Sequence, residues 1–459
     1  MMGSNRTRRE FLSQAAMAAA AAGLGPGVLS ALAGPDQAQG SSRAYRDLAV
    51  RCAQWIDRSA RPQSSGTAWP ADPLKPDVVG LDYYNGMPGV VAFYANLWQA
   101  TGDVTWRDRA RQGAAYLNAE LNRRGDALDC GLYTGLAGIA ATQMALASTK
   151  ATDGGDAGRT VARIVARARP VDDGVQWSDS NDIISGTAGT GLLLLAASKA
   201  WKEPSLADLA VRAGRRLIKT AEASTGGLMW YPSAMLRRNY PNFSHGTAGV
   251  AYFLATLYQH TKDKKFLEAA MSGAIYLDAV ATRRDGARAI FHQSEGGENR
   301  FYLSWCHGPV GTARLYYRLH QITQDQKYAD AVVELVRWID ASGAPEKQSD
   351  GYWNNISQCC GNVGIGQFMI DLGRRPAGIR NVSPRALQYR VLDNTMKRAF
   401  DDPDGLRWVQ AENRTQPENR VAQTGFMQGA AGVGSFFLQL DAFSRGEAWP
   451  TPWPDTPWQ

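Results

Sequence analysis

The chain has 459 residues, 44% of them hydrophobic, enough to bury one large closed core or two ordinary ones. Its net charge of +7 is spread without any basic run, which excludes an electrostatic footprint for nucleic acid. Five cysteines are too few, and odd in number, for a disulfide framework.

In chain order, residues 1–40 come first and carry the marks of a twin-arginine export signal. Arg8 and Arg9 precede Glu10-Phe11-Leu12, an alanine-rich apolar stretch follows, and the small triplet Ala31-Leu32-Ala33 offers cleavage there or a few residues later. A membrane anchor fits less well, because the stretch is rich in Ala and Gly and broken by Pro26. The expected location is periplasmic or extracellular, without stable membrane insertion once the signal is removed. Such export carries proteins already folded, so a metal site assembled beforehand would reach an oxidising compartment with its thiolates occupied.

From Tyr45 onward the sequence repeats. A Gly-x-x-Gly motif opens an apolar run seven times, with first glycines at Gly86, Gly135, Gly186, Gly246, Gly308, Gly361 and Gly429, spaced 49 to 68 residues apart. Such a period belongs to a helical array or a propeller. Ahead of each motif lies an amphipathic segment of helical spacing, for example "LADLAVRAGRRLIKTAEA" and "KYADAVVELVRWIDA", suited to an outer helix with one wet face. The runs after each motif carry few charges, as inner helices would. Seven outer and inner pairs predict an all-α fold, an (α/α)7 toroid over residues 41–446, followed by a Pro/Trp-rich tail at 447–459. A monomer is expected.

The residue just before each first glycine is Asn85, Thr134, Ser185, His245, His307, Cys360 and Gln428. If the repeats are equivalent, these polar or metal-competent side chains ring one mouth of the barrel. N-capping accounts for Asn, Thr and Ser. It does not account for His245, His307 and Cys360.

"SWCHGPVG" places Cys306 in the same register as Cys359 of the next repeat, "SQCCGNVG". Adjacent inner helices would then present Cys306, Cys359 and Cys360 to one point, which suits Zn²⁺ with three protein ligands and one open position. Three buried thiols, or a strained Cys359–Cys360 disulfide, are the alternatives. Cys52 and Cys130 fall outside the register and belong to the core.

Seven Gly-x-x-Gly repeats with "WCHG" in the fifth and "CCG" in the sixth resemble the lanthionine synthetase C-like family over about residues 43 to 444. That family's usual pattern is Trp-Cys-x-Gly followed by Cys-His-Gly, with two cysteines and a histidine on zinc. The resemblance puts the ligands at Cys306, Cys359 and Cys360, similar to the three-cysteine variant of some bifunctional lanthipeptide synthetases. It also matches a family Asp to Asp182 in "NDIISG" and a family His to His245 in "FSHG". Tyr302 stands where the family has an arginine; Arg300 lies two residues away, and His307 follows the fifth-repeat cysteine as another proton carrier.

What the resemblance implies is a zinc-dependent enzyme that adds a thiolate to a dehydroamino-acid-type acceptor, forming lanthionine or another thioether. The partners would be a peptide or small-molecule thiol and an electrophilic alkene. His245 would take or deliver the proton, with Asp182 orienting it. Two other classes compete: an inverting glycosidase on the same toroid using Asp82, Asp182, Glu295 and Glu298, and a zinc-bearing binding protein without turnover.

Overall fold

The computed structural model describes residues 38–347, 352–374 and 376–458. The export-signal stretch before Ala38 lies outside them. Among the described residues, fourteen α-helices alternate between two shells. The outer shell is α1 (Ala38–Asp57), α3 (Val104–Arg124), α5 (Gly155–Ala166), α7 (Pro204–Lys219), α9 (Lys264–Val280), α11 (Gln326–Ala341) and α13 (Pro384–Lys397). The inner shell is α2 (Met87–Thr101), α4 (Leu136–Ser148), α6 (Thr187–Trp201), α8 (Thr247–Thr261), α10 (Pro309–Thr323), α12 (Asn362–Gly373) and α14 (Ala430–Ser444). Each inner helix touches the next, and α14 returns to α2, so the ring closes into the expected toroid.

The tightest partner of each inner helix is the outer helix after it, and α14 backs onto α1 to seal the ring. Local chemistry explains that pairing. Four inner helices, α2, α6, α8 and α10, end on a left-handed residue, such as Gly102 (φ 70°) or Lys262 (φ 61°), and an acidic side chain then caps the next outer helix. Asp103 accepts from the Thr105 N–H at 2.9 Å, and Asp263 and Asp325 accept in the same way from Lys265 and Lys327 at 3.1 Å. Two residues thus turn the chain through the corner.

Sequence periodicity missed the hairpins that follow five outer helices, pairing 61–63 with 66–68, 169–171 with 174–176, 222–224 with 227–229, 282–284 with 287–289 and 400–402 with 405–407. Several lead into a tryptophan whose indole N–H caps the outer helix just left. Trp177 donates to Ile164 O at 2.8 Å, Trp230 to Leu217 O at 2.7 Å and Trp408 to Thr395 O at 2.8 Å. These carbonyls lie in the last helical turn, where each otherwise accepts a backbone N–H three residues on, from Arg167, Thr220 and Arg398 at 3.1 to 3.3 Å, and the indole fills its second acceptor position. No helix among the described residues is long and apolar enough to cross a membrane.

Candidate metal centre

The mouth is built where inner helices begin. Each one is capped at the first motif glycine without a side-chain cap, in extended conformation at all but Gly135, so the capping role expected of Asn85, Thr134 and Ser185 is not what they do. Glycine is required there by close approach: the loop folds back over the helix start. A Cβ on Gly246 would lie 1.3 Å from Tyr240 O, and one on the second motif glycine, Gly311, 2.0 Å from Trp305 O. Thr134 instead donates to Asp129 at 2.8 Å, while the Asn85 and Ser185 N–H groups donate to Asp82 and Asp182 at 2.7 and 2.9 Å.

The folded-back loops join one another in a closed ring of backbone hydrogen bonds. Tyr84 N–H donates to Tyr133 O, Tyr133 to Ile184, Ile183 to Ser244, Ser244 to Cys306, Cys306 to Cys359, Cys359 to Met427, and Met427 back to Tyr84, at 2.8 to 3.2 Å. Cys306 and Cys359 are therefore neighbours by backbone pairing. A short parallel pairing of 301–302 with 352–353 fastens the same two repeats further out.

Cys306, Cys359 and Cys360 are buried, and their sulfurs all lie within 4.8 Å of one another. Cys306 Sγ is 3.3 Å from Cys360 Sγ, which is 3.4 Å from Cys359 Sγ. The Tyr84 hydroxyl donates to Cys359 Sγ at 2.9 Å and accepts from Gln428 Nε2 at 2.8 Å. Burial opposes charge on Cys359, but hydrogen bonds from Cys306, Cys360 and Tyr84 hold its thiol well below the ordinary range. Cys306 is pushed up by burial, and Cys360 by donating its hydrogen bonds to the other two sulfurs. Three ionisable sulfurs this close titrate as one coupled set. Sulfurs on a tetrahedral zinc, bonded at about 2.3 Å, stand about 3.8 Å apart. The donor set fits that ion.

Beside the sulfurs, Asp182 and His245 form a dyad. Asp182 is buried; its Oδ2 meets His245 Nδ1 at 2.7 Å while Oδ1 accepts from Ser185 N–H. Burial lowers the His245 pKa, yet the Asp182 hydrogen bond and charge, with the Cys359 sulfur, leave it above the ordinary value. With Nδ1 tied to Asp182, Nε2 is the free nitrogen.

His307 is buried on Ser244, with Nε2 3.4 Å from the Ser244 hydroxyl and Nδ1 without a partner. Burial first, then the neighbouring histidines, push its pKa well below the ordinary value. The half-buried Arg300 takes its place through its carbonyl, which accepts from His292 N–H at 2.7 Å; its charge acts on His292 and Tyr302. His292 is the residue that sequence reasoning missed. Its ring lies 4.2 Å from His307 and 4.4 Å from Tyr302, and burial and Arg300 lower its pKa to about 4. Tyr84 was missed as well. Three carboxylates of the glycosidase reading are already engaged: Asp182 by His245 and Ser185, Asp82 by Asn85, and Glu298 by the backbone N–H groups of Glu295 and Gly296.

Fold and site together define an α/α-toroid protein with a thiol-rich, metal-competent mouth and a His–Asp dyad beside it. The lanthionine synthetase C-like protein family matches residues 77–452, and the chain belongs to that family. Among solved structures it is similar to a nisin cyclase, at 18% identity and a TM-score of 0.59 over 88% of this chain and 95% of that one. A GH76 α-mannanase of Bacteroides thetaiotaomicron aligns over 88% of this chain and 96% of its own, at 11% identity and a TM-score of 0.48. No curated protein matches the chain.

Proposed function

We propose that this protein is a lanthionine-cyclase-like enzyme that activates a thiol at Cys306, Cys359 and Cys360 and adds it to an electron-poor alkene of the dehydroalanine type. The observation that carries the reading is the meeting of three buried sulfurs with the Asp182–His245 dyad at one mouth. Zinc bound by the three cysteines would supply an open position that keeps a substrate thiol as thiolate near neutral pH. The chain does the rest. His245 Nε2 receives the thiol proton, the sulfur forms its bond to the β-carbon, and the proton returns to the α-carbon as the enolate collapses. Asp182 holds the ring with Nε2 toward the mouth and stabilises it while it carries the proton. Tyr84 and Gln428 fix the Cys359 sulfur from behind. The nisin cyclase likeness supports a peptide acceptor, and the export signal read in residues 1–40 supports action outside the cytoplasm.

The test is thioether formation by the zinc-loaded protein, followed by mass spectrometry with dehydroalanine peptides and several thiols. Adducts that form only with the protein are expected. A fully zinc-loaded protein that gives none with any acceptor overturns the enzyme reading in favour of a binding role.

A further inference from the structure

The Pro/Trp-rich stretch after α14 does not trail into solvent. It enters the axis of the toroid from the end opposite the mouth, where Thr451 Oγ1 donates to Asn96 Oδ1 on α2 at 2.8 Å. Trp453 then stacks on Tyr83, with centroids 3.6 Å apart and planes 23° apart. Asp455, only 2% exposed, accepts from the Tyr133 hydroxyl at 2.8 Å and the Trp305 indole N–H at 3.1 Å through one oxygen, Oδ2. Trp458 stacks on Tyr317 at 4.5 Å, and Gln321 Nε2 donates to Pro457 O at 3.2 Å. A cavity of about 250 Å³ remains along the axis, lined by this stretch together with Arg314, Gln358 and Asp371.

Two of these contacts adjoin the sulfur site. Trp305 precedes Cys306, and Tyr83 precedes Tyr84, whose hydroxyl holds the Cys359 sulfur. Tyr133 stands between them as a member of the backbone ring. A buried carboxylate is stable only where strong donors meet it, and the two found here belong to the ring or adjoin it. Asp455 therefore ties Tyr133 to Trp305 from below, while Trp453 braces the turn carrying Tyr84.

We propose that residues 447–458 are an internal buttress of the metal centre, with Asp455 and Trp453 as positioning residues that act through Trp305 and Tyr83 on Cys306 and Cys359. Releasing the segment loosens the ligand-bearing turns without removing any ligand. The zinc arm of the test rests on the metal reading above; the thiol arm does not.

The experiment compares wild type, Asp455→Asn, Trp453→Ala and a chain ended after Gly446. Zinc loss to a chelator is timed on loaded protein, and alkylation is mapped cysteine by cysteine on metal-free protein. Cys52, buried in α1 outside the site, reports general opening. Zinc loss about 10-fold faster or more is expected, with Cys306 and Cys359 labelling faster and Cys52 unchanged. Asp455→Glu should recover part of the effect. Labelling at wild-type rates in Asp455→Asn and Trp453→Ala overturns the proposal, as does a parallel rise at Cys52, which would mark plain destabilisation. Should the shortened chain fail to fold, the two point variants decide. Should wild type take up no zinc, the metal reading falls and the alkylation pattern alone decides the buttress.

Discussion

Asp182→Asn isolates the proton-handling role proposed for His245. The Asn side chain keeps an oxygen for the Ser185 N–H, so the loop ahead of α6 retains its internal hydrogen bond. What it loses is charge at the position 2.7 Å from His245 Nδ1. An amide N–H placed there opposes a ring N–H, so the imidazole must move its proton to Nε2, and the nitrogen at the mouth ceases to be a base. Loss of a positioned base costs about 10²- to 10⁴-fold in turnover, and thiol addition should fall by that amount.

A stability effect follows with a definite pH signature. A hydrogen bond to a charged group contributes about 1.5 to 3 kcal/mol, and the lower end applies because solvent reaches the ring; 35% of the His245 side chain is exposed. His245 is held above its ordinary value of 6.5, so the charged ring favours the folded state. The stabilisation is fully present below pH 6.5 or so and is lost as pH rises through the raised folded value. Wild type should therefore exceed Asp182→Asn most in mildly acid solution, with the two converging in alkali. Denaturant melts at pH 5.5 and 8.5, beside a pH–rate profile, measure both effects. Equal rates and parallel melts at the two pH values would refute the dyad.

Four other substitutions, at three positions, separate the remaining roles. Cys360→Ala should lose zinc by elemental analysis, and undiminished zinc would make another residue the third ligand; Cys360→His should keep zinc but slow addition, because a neutral ligand leaves the bound sulfur less nucleophilic. Tyr84→Phe removes the hydroxyl 2.9 Å from Cys359 Sγ and should weaken zinc retention by about 10-fold in chelator competition, while the fold is kept. Gly311→Ala places a Cβ 2.0 Å from Trp305 O and 2.6 Å from Phe243 Cβ, so a loss above about 3 kcal/mol in denaturant unfolding is expected; a loss below 1 kcal/mol would mean the loop yields easily.

The sequence exposed what repeats and hid what does not. Seven Gly-x-x-Gly motifs defined the toroid because close backbone approach admits only glycine, and the need recurs at every helix start. The register of Cys306 with Cys359 was readable for the same reason. Capping was misjudged because Asn, Thr and Ser ahead of a helix look like caps, and only coordinates reveal the glycine in that place. The hairpins carried a signal that went unread: Gly-x-x-Trp recurs at Gly66–Trp69, Gly174–Trp177, Gly227–Trp230 and Gly405–Trp408. His292 lies just beyond the one hairpin where Ile290 replaces that Trp, so no pattern pointed to it. The insertion of Trp453 and Asp455 into the axis was beyond reach, because a Pro/Trp-rich segment has no periodicity to say which surface it covers.

The ring also explains how one scaffold can carry different chemistry. Its hydrogen bonds use backbone atoms of Tyr84, Tyr133, Ile183, Ile184, Ser244, Cys306, Cys359 and Met427, and are indifferent to side chains. The next position in each repeat supplies the groups that meet at the mouth. There Ser185 and His245 both engage Asp182, Cys360 meets Cys306, and Gln428 meets Tyr84. Side chains at that position can change without breaking the ring, because the glycine that follows already bears the steric demand. A cysteine at 360 in place of the family's histidine is such a change: the sulfur sits in the ring's geometry, and on the zinc reading proposed above its effect would fall on the charge at the metal rather than on the fold.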